Sequence, residues 1–420
     1  MCYAVAMAKL TLISAAAARQ ALSEVTFTMP TQTVSLTQAR GRFLAVDVFA
    51  KQAIPEAPRA AMDGFAVIAA DLLQASRERP VMLHVVGEVF AGSMFNGTVL
   101  PGQTVRIPTG GCLPAGADSV EAIEAVTVAA DGRVCLVAPV EEEKHVVPVG
   151  QDVMPGQHIL HKGTRLLPTH LAALAATGNS NVLVAAQPRV TVFSSGAEVC
   201  PPNVRPSPAQ VRDVNQTLLA GLAESAGALV TYGGIVPDDV AILHEVVSRA
   251  VATSDVVILS AGTSVGTRDF AGSVIAGVPG ARTLFHGINI RPGKPTLVAH
   301  VAGVHDCLVC GLPGFPVSAA VAFAAFVAPQ LLRMQGALHA SLWRDPFPAI
   351  LAGPYQSTVG REDYVRVSVA AGPHPRLATV IPAGPALVTG LLKGDGFMLV
   401  AAATPSLPAG APVEVLTLDL

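Results

Sequence analysis

Glycine, serine and threonine are concentrated in one short segment, residues 260–269, which follows an apolar run of the chain. In such a loop, backbone N–H groups and hydroxyl groups can converge on a phosphate or another oxyanion. The segment matches neither the Walker phosphate loop nor the dinucleotide-binding fingerprint, and its residues also suit an ordinary strand-to-helix turn. The residue types therefore leave two interpretations open, an anion-binding loop and a turn without a ligand.

Two further segments carry groups that favour an anionic ligand. Residues 290–295 read Ile-Arg-Pro-Gly-Lys-Pro and place cationic side chains on a rigid turn. Residues 311–318 read Gly-Leu-Pro-Gly-Phe-Pro-Val-Ser and precede an apolar helix, whose N-terminus would face an anion. Each segment alone is ordinary turn chemistry. Together on one domain, the three segments predict a pocket for an anionic, phosphorylated ligand.

Five acidic residues stand in non-helical positions, three of them within two residues of a glycine: Asp63, Asp152, Glu198, Asp213 and Asp269. For any one of them alone, capping of a turn or helix is the better interpretation, and Asp213 stands two residues before a predicted helix. Collected in one cleft, the carboxylates would bind a hard divalent cation such as Mg²⁺ through oxygen. An anionic ligand would require that cation, because uncompensated carboxylates would repel it.

The elements that would position these groups form an α/β pattern between residues 189 and 330. Apolar strands are predicted at 189–193, 228–230 and 255–260, and helices at 215–226 and from 238 to about 252. Alternating strands and helices predict an open α/β sheet, whose ligands bind beyond the carboxyl ends of the strands. Two other regions, 48–140 and the tail from about 349, show short alternating segments punctuated by glycine and proline, which predict small β modules.

The composition excludes some classes of function. The chain has 420 residues and a net charge of −3, from 27 Lys and Arg against 30 Asp and Glu. It therefore carries no excess of positive charge to hold a nucleic-acid backbone or an anionic membrane surface. Six scattered cysteines favour a reducing compartment, and Cys307 and Cys310 are predicted to face opposite sides of one buried strand.

The mean hydropathy of +0.51 raises the question of a membrane span. The longest uncharged run, residues 307–332, is broken by glycine and proline at 311–316 and again at Pro329. The helix that remains, 317 to about 328, is shorter than the roughly 20 residues that a span needs. We therefore expect a buried core helix in a cytoplasmic protein that binds neither nucleic acid nor membrane.

Short motifs recur in order along nearly the whole chain and resemble those of a known family. The motifs are ARGR at 39–42, AMDGFA at 61–66, TGGCLPAGAD at 109–118, GQD at 150–152, SSGAE at 194–198, RDVN at 212–215, GIVPDD at 234–239, AGTSVG at 261–266, PGKP at 292–295 and GLPGFPVS at 311–318. The chain resembles the molybdopterin molybdenumtransferases, the enzymes of molybdenum cofactor synthesis that include the gephyrin E-domain.

The resemblance implies a multidomain α/β and β fold and an elongated homodimer. Its domains would be a discontinuous N-terminal domain of residues 1–46 with 146–180, an inserted β-rich domain of 47–145, a three-layer α/β molybdopterin-binding domain of 181–332 and a C-terminal β domain of 333–420. The implied reaction takes adenylylated molybdopterin and molybdate, inserts molybdenum at the dithiolene, cleaves the pyrophosphate and releases AMP, with Mg²⁺. The molybdopterin adenylyltransferase is the implied protein partner.

The resemblance also assigns roles to residues at matching positions. The catalytic acidic residues would be Asp63, Asp152, Glu198, Asp213 and Asp269, with Asp63, Asp213 and Asp269 on the metal. The substrate-binding residues would be Thr109, Gly262, Thr263, Ser264, Gly266, Lys294, Pro295, Pro313, Gly314, Ser318 and Arg361.

Some positions depart from the family pattern. Ala197 stands in place of an aspartate beside Glu198, Val147 where many members have arginine, and Phe315 in place of asparagine. In the last domain, Ala-Gly-Pro-Ala-Leu at 383–387 replaces a serine-rich loop associated with molybdate. Two alternatives to the active transferase therefore stay open: a non-catalytic pterin-binding or scaffolding paralogue, and a variant that serves another oxyanion such as tungstate.

Overall fold

The computed structural model describes residues 11–260, 270–303, 305–370, 376–382 and 389–418. Within these ranges the α-helices span Ala15–Ser23, Leu36–Ala39, Pro168–Ala176, Asn215–Ser225, Val240–Val251, Phe270–Gly277, Pro316–Ala322, Ala328–Met334 and Thr389–Lys393. Short 3₁₀ helices lie at Ala69–Leu72 and Ile123–Ala125.

Early and mid-chain segments combine into one small unit, which we call the connector module. Its strands pair as three antiparallel ladders: Thr31–Ser35 with Asn181–Ala185, Val48–Phe49 with His158–Leu160, and Arg59–Ala60 with Val146–Val147. The buried side chains of Leu44, Leu166, Leu174 and Val184 form its core. In chain order, the chain leaves this module after its third strand, Arg59–Ala60, and returns at its fourth, Val146–Val147, so the segment between is an insertion.

The inserted module contains, among the described residues, a six-stranded sheet. Its strands lie in the order Ser119–Ala122, Gly64–Val67, Gln103–Ile107, Val81–Glu88, Val134–Leu136 and Thr127–Val128. Successive residues of a strand point to opposite faces, and both faces are covered here. Phe65 and Val67 pack into one apolar cluster, whereas Ala66 packs into another.

The α/β domain has three layers, as expected. In the described part of this domain, six strands lie in the order Leu229–Val236, Arg189–Ser195, Val256–Ser260, Cys307–Leu312, Leu297–Val301 and Ala281–His286. The first four are parallel to one another. Leu297–Val301 is antiparallel to both of its neighbours, Cys307–Leu312 and Ala281–His286. Cys310 belongs to the apolar cluster on one face of the sheet and Cys307 to the cluster on the other, which confirms their predicted orientation.

Most predicted elements of this domain are confirmed, with one strand longer than expected. The prediction ended the edge strand at residue 230, but the strand runs from Leu229 to Val236 and pairs with Arg189–Ser195, with a shift of register between Val192 and Phe193. Gly233 lies at that shift, directly against the ring of Phe193, where a Cβ atom would collide with it. The glycine therefore lets the two strands approach.

The apolar helix after residue 315 is buried, as predicted, but it does not stop at Pro329. It runs as one helix over Pro316–Met334, with a π-helical turn at Phe323–Val327. Proline lacks a backbone N–H and its ring clashes with the preceding turn; the wider π turn in front of Pro329 accommodates both effects. By length and composition the helix could cross a membrane, but 89% of its apolar window is buried inside the protein.

The C-terminal unit is a small β-barrel. Its main strands are Phe347–Leu351, Glu362–Ala370, Leu377–Val380, Gly396–Val400 and Pro412–Leu416. Glu362–Ala370 pairs with both Leu377–Val380 and Gly396–Val400, so within the described residues the sheet closes on itself. The short strand Ile290–Arg291 of the preceding domain pairs in parallel with Glu362–Ala370 and joins the two domains. Two short ladders, Val199–Cys200 with Val211–Arg212 and Tyr355–Gln356 with Ser406–Leu407, complete the strands.

Candidate functional site

Hydroxyl, carboxylate and amide side chains meet at the carboxyl edge of the four parallel strands. Ser194 is the last residue but one of the strand Arg189–Ser195, and its Oγ donates to Oδ1 of the buried Asp213 at 2.8 Å. Asp213 Oδ1 also accepts from the backbone N–H of Gln216 at 3.1 Å, which confirms its predicted capping role at the start of Asn215–Ser225. We call Ser194, Ser195, Asp213, Asn215 and Ser260 the edge cluster.

Two more carboxylates lie near the same edge, Asp238 after the neighbouring strand Leu229–Val236 and Glu198 after Arg189–Ser195. The hydroxyl of Ser195 donates to Asp238 Oδ1, and the backbone N–H of Ala197 donates to Asp238 Oδ2 at 3.2 Å. Glu198 is exposed in the turn that follows. Asp239, by contrast, caps the helix Val240–Val251 through the N–H groups of residues 241 and 242.

Asn215 ties the edge cluster to the loop that opens the buried helix. Its Nδ2 donates to Ser260 Oγ at 2.8 Å and to the backbone carbonyl of Gly314 at 2.7 Å. Gly314 precedes Phe315, which is exposed and caps the helix without a side-chain hydrogen bond. The edge cluster and the helix entrance are thus held together by one side chain.

A cavity of about 680 Å³ opens beside the helix entrance, between the α/β domain and the barrel. Lys294, Pro295 and Ser318 line it from the α/β domain, and Arg361 and Arg366 line it from the barrel. Arg291 adds a further cation, and Tyr355 and Tyr364 add two phenol rings. Among the described residues that line it are four cationic side chains and no aspartate or glutamate, a lining that suits an anion. We call it the cationic cavity.

The turn that presents Lys294 is fixed by its backbone. Gly293 adopts φ 115°, which side chains disfavour, and a Cβ there would meet Ile290 Cδ1 at 2.7 Å. The buried Thr296 donates from Oγ1 to the carbonyl of Gly293 at 2.6 Å, and the Lys294 carbonyl accepts from the Ile288 N–H at 2.9 Å. The exposed Lys294 side chain has no ion-pair partner among the described residues, so its charge is available to a ligand.

Arg361 contributes to the cavity through a buried network. Its guanidinium binds Asp363 with two hydrogen bonds of 2.6 and 2.9 Å, and Tyr355 and Ser357 donate to the same carboxylate at 2.9 and 2.8 Å. Burial alone would raise the pKa of Asp363, but these four hydrogen bonds hold it below its usual range. Burial and the Asp363 charge raise the pKa of Tyr355 to about 12, so Tyr355 stays a donor.

Asp63 and Thr109 lie together in the inserted module. Asp63 Oδ1 accepts from the Thr109 backbone N–H at 2.7 Å and from its hydroxyl at 2.9 Å. Those bonds, together with the charge of Arg106, lower the pKa of Asp63 and keep it ionised. Both residues are exposed, and neither hydrogen-bonds to any described residue of the α/β domain.

The predicted site residues therefore form three groups. Lys294, Pro295, Ser318 and Arg361 converge on the cationic cavity, and Pro313 and Gly314 form the loop beside it. Asp213 and Glu198 lie at the edge of the sheet. Asp63, Thr109 and the exposed Asp152 lie outside the α/β domain, so a single chain does not gather the expected carboxylates among the residues described. Gly262, Thr263, Ser264, Gly266 and Asp269 lie outside the described residues, as does 383–387.

One site residue, Tyr355, escaped the sequence motifs. It lines the cavity from the short ladder with Ser406–Leu407, whereas Arg366 ends the segment 361–366, which resembles an RxxxxR stretch of the family. Asn215 and Asp238 were visible as parts of RDVN and GIVPDD, but only the strand order shows that both reach the edge cluster.

The described donors fit Mg²⁺ in one particular way. The edge cluster and its neighbours Asp238 and Glu198 offer oxygen ligands, as Mg²⁺ prefers. Among the residues described, however, they do not form a preassembled group of three close carboxylates. Such an ion would therefore be held by one or two carboxylates and by phosphate oxygens of a substrate, which is the usual arrangement for Mg²⁺.

Three family models match the chain in order. "MoeA N-terminal region (domain I and II)" matches residues 13–178, "Probable molybdopterin binding domain" matches 191–333 and "MoeA C-terminal region (domain IV)" matches 348–418. The molybdopterin molybdenumtransferase of Haemophilus influenzae is 33% identical over 347 residues, which cover 82% of this chain and 83% of that protein. The chain belongs to the molybdopterin molybdenumtransferase family.

Other family members agree over similar lengths. The molybdopterin molybdenumtransferase of Nostoc sp. is 35% identical over 306 residues, covering 73% of this chain and 70% of that protein. The crystal structure of the molybdopterin biosynthesis MoeA protein from Pyrococcus horikoshii has a TM-score of 0.82 and 31% identity. It covers 97% of this chain and 99% of that chain, which confirms the multidomain fold of the family.

Proposed function

We propose that this chain inserts molybdate into adenylylated molybdopterin during molybdenum cofactor biosynthesis and cleaves the pyrophosphate to release AMP. The cationic cavity is the observation that carries this proposal. Its volume of about 680 Å³ suits a nucleotide-sized ligand, and its described lining has four cationic side chains and no acidic one.

The cavity and the edge cluster divide the work between binding and chemistry. Lys294, Arg291 and Arg366 bind anionic oxygens of the nucleotide or the oxyanion, and Tyr355 and Ser318 supply directional hydrogen bonds. Asn215 and Gly314 connect this cavity to the carboxylates of the edge cluster, where the strand ends meet. The pyrophosphate would lie between the two, as ligands of α/β sheets do beyond the carboxyl ends of the strands.

We propose Mg²⁺ as the cofactor of this reaction. When bound, it neutralises phosphate charge and polarises the phosphoryl centre. Asp213 and Glu198 are the described residues placed to hold it, whereas the family resemblance implies Asp213 together with Asp63 and Asp269. The Ser194 hydroxyl fixes the orientation of the Asp213 carboxylate by hydrogen bonding to it.

A homodimer would explain the position of Asp63 and Thr109. Asp63 is ionised and Thr109 is polar, and both side chains are exposed. Neither residue hydrogen-bonds to the described part of the α/β domain of its own chain. We propose that the inserted module of a second copy brings them to the edge cluster, so that each active site combines residues of two chains.

The proposed reaction also indicates which enzyme supplies the substrate and in which compartment the two enzymes work. The substrate is already adenylylated, so an adenylyl-transfer reaction precedes this one, and we propose the molybdopterin adenylyltransferase as the partner that hands it over. We place both in the cytoplasm, because five described cysteines are free thiols and Cys307 and Cys310 are buried in the core.

The role of the cavity is tested by AMP release in the Lys294→Met variant. Lys294→Met keeps the length of the side chain but removes its charge, so the KM for adenylylated molybdopterin should rise by about tenfold or more. The exposed Lys51, in the connector module, supplies the matched control Lys51→Met, which should leave KM unchanged. Equal KM values for Lys294→Met and the wild type would contradict this placement of the substrate.

A further inference from the structure

Two histidines and an aspartate meet on the surface of the connector module, and none of them belongs to the motifs that resemble those of the family. Asp47 directly precedes the strand Val48–Phe49. His158 is the first residue of the strand His158–Leu160, which pairs with Val48–Phe49, and His161 directly follows it. One ligand atom from each lies within 4.8 Å of the others. We call Asp47, His158 and His161 the His-Asp cluster.

The distances within the cluster are short for side chains on separate parts of the chain. Asp47 Oδ1 lies 3.8 Å from His158 Nε2 and 3.9 Å from His161 Nδ1. The two imidazole rings have centroids 4.1 Å apart. Four ligands around a tetrahedral Zn²⁺ stand about 3.3 Å apart, given metal–nitrogen bonds of about 2.0–2.1 Å. Small rotations of the exposed His161 and Asp47 side chains would bring the three atoms to that spacing.

Two of the three donors are already oriented. The carboxylate of Asp47 accepts the backbone N–H of Lys162 at 2.7 Å, and this bond is the main reason that its pKa lies below the usual range. The ring of Phe49 packs edge-on against His158 at 5.3 Å. His158 Nε2, on the side that faces Asp47, is shielded from solvent and has no hydrogen-bond partner. A shielded nitrogen without a partner is costly unless something binds it.

We propose that the His-Asp cluster binds a divalent transition-metal ion of the Zn²⁺ class, one per chain. Imidazole nitrogens with a carboxylate are ligands that Zn²⁺ and its neighbours prefer, whereas Mg²⁺ selects oxygen ligands. Three protein ligands leave a fourth position for water. This site is independent of the Mg²⁺ proposed for the reaction, because it lies in another module and has a different donor set.

The position of the cluster indicates a structural role. Asp47 lies in the part of the connector module that leads out to the inserted module, and His158 lies in the part that follows the return of the chain. A metal bound to both would cross-link the two passages at the base of the inserted module. Binding to the folded state alone would then raise the melting temperature.

The test is titration of the full-length protein, without an affinity tag and freed of metal by a chelator, with Zn²⁺ and separately with Co²⁺. The wild type should bind one Zn²⁺ per chain, give the intense visible absorption of tetrahedral Co²⁺, and gain thermal stability. His161→Gln and Asp47→Asn should weaken Zn²⁺ binding by about 100-fold or more, because each removes a ligand rather than a supporting bond. His339→Gln, which replaces an exposed histidine elsewhere, is the matched control.

Two results would overturn the site. The first is equal Zn²⁺ affinity in the wild type and His161→Gln. The second is a Co²⁺ spectrum with only the weak bands of the hydrated ion, which would show that Asp47 and the histidines form an ion pair alone. Because the Co²⁺ spectrum is recorded on the wild type, a folding defect in a variant cannot obscure that result.

Discussion

The side-chain amide of Asn215 donates a hydrogen bond to the backbone carbonyl of Gly314 at 2.7 Å, although the two residues are 99 positions apart in the sequence. The same nitrogen donates to Ser260 Oγ at 2.8 Å. Asn215 is buried, and its Oδ1 has no hydrogen-bond partner. One side chain therefore joins two strand-end loops on which the proposed reaction depends.

Replacing Asn215 by alanine should impair both stability and turnover. The buried Ser260 hydroxyl and Gly314 carbonyl would lose their donor, at a cost of about 1–3 kcal/mol in the free energy of unfolding. Displacement of the Gly314 loop by about 1 Å should lower the rate of AMP release by about 100-fold. Urea denaturation and an AMP assay measure the two effects. The exposed Asn181→Ala is the control, and wild-type turnover in Asn215→Ala would show that the loops hold their positions without this amide.

The Asp363 network should matter mainly for the stability of the barrel. Asp363 is 0% exposed, and its carboxylate binds the Arg361 guanidinium at two points. Asp363→Asn removes the negative charge and breaks this ion pair. Breaking a buried pair by removing one partner costs about 3 kcal/mol or more. The control is Asp131→Asn, because Asp131 forms an exposed ion pair with Arg133, also two residues away. Asp131→Asn should change the stability little; equal losses in the two variants would contradict the importance of burial.

The same pair predicts how stability depends on pH. Because the pKa of Asp363 is lowered in the folded state, its stabilising contribution is complete above the unfolded pKa of about 3.9 and is lost as the pH falls through the folded pKa. The stability difference between wild type and Asp363→Asn should thus be constant above about pH 5 and should shrink below about pH 4. Denaturation curves at several pH values measure this difference. A difference that grows on acidification would mean that folding raises the pKa of the carboxyl above its unfolded value.

If Asp63 acts in the reaction, its replacement should lower the rate of turnover without weakening the binding of molybdopterin. Asp63→Asn keeps the size of the side chain and can still accept from Thr109, but it removes the negative charge. AMP release should fall by about 100-fold or more, while the affinity for molybdopterin should stay within about twofold. Asp131→Asn again serves as the exposed-carboxylate control. A variant with full turnover would remove Asp63 from the mechanism.

Mixing two impaired variants, at a substrate concentration well below the raised KM of Lys294→Met, tests whether the site spans two chains. Asp63→Asn impairs the inserted module and Lys294→Met impairs the cavity, so a mixed dimer would contain one site with neither change. After exchange of subunits, about a quarter of the wild-type rate per chain should return, because half the dimers are mixed and each regains one of two sites. Measurement of AMP release before and after mixing decides the point. No recovery, with subunit exchange demonstrated independently, would place Asp63 and Lys294 in the same chain's site.

Local pattern predicted the α/β domain well and its boundaries less well. The strands Arg189–Ser195 and Val256–Ser260 are buried on both faces, so each appears in the sequence as an apolar run. The strand Leu229–Val236 was underestimated because Gly233 suits a turn as well as a close approach to Phe193. The continuation of the helix past Pro329 depends on a π turn, which no residue pattern announces.

The site residues that lie in a sequence motif were predictable, whereas those brought together by the pairing of distant strands were not. Lys294 and Ser318 carry recognisable motifs, and both reach the cationic cavity. Arg366 lies in the strand Glu362–Ala370. The first two residues of that strand pair with Ile290–Arg291, and this pairing brings Arg366 to the cavity. Likewise, Asp47 and His158 meet because two short strands far apart in the sequence pair with each other. Pairing between distant strands is a tertiary property, so single residues give no sign of it.

The central claim is that this chain is a molybdate-dependent transferase with an intact active site. Its most direct test is the rate of AMP release from adenylylated molybdopterin by the purified wild-type protein, with and without molybdate and Mg²⁺, and with tungstate in place of molybdate. We predict release that requires Mg²⁺ and is stimulated by molybdate more than by tungstate. Molybdopterin binding without any release of AMP would contradict the claim and would indicate that the changes at Ala197, Phe315 and 383–387 have left a binding protein.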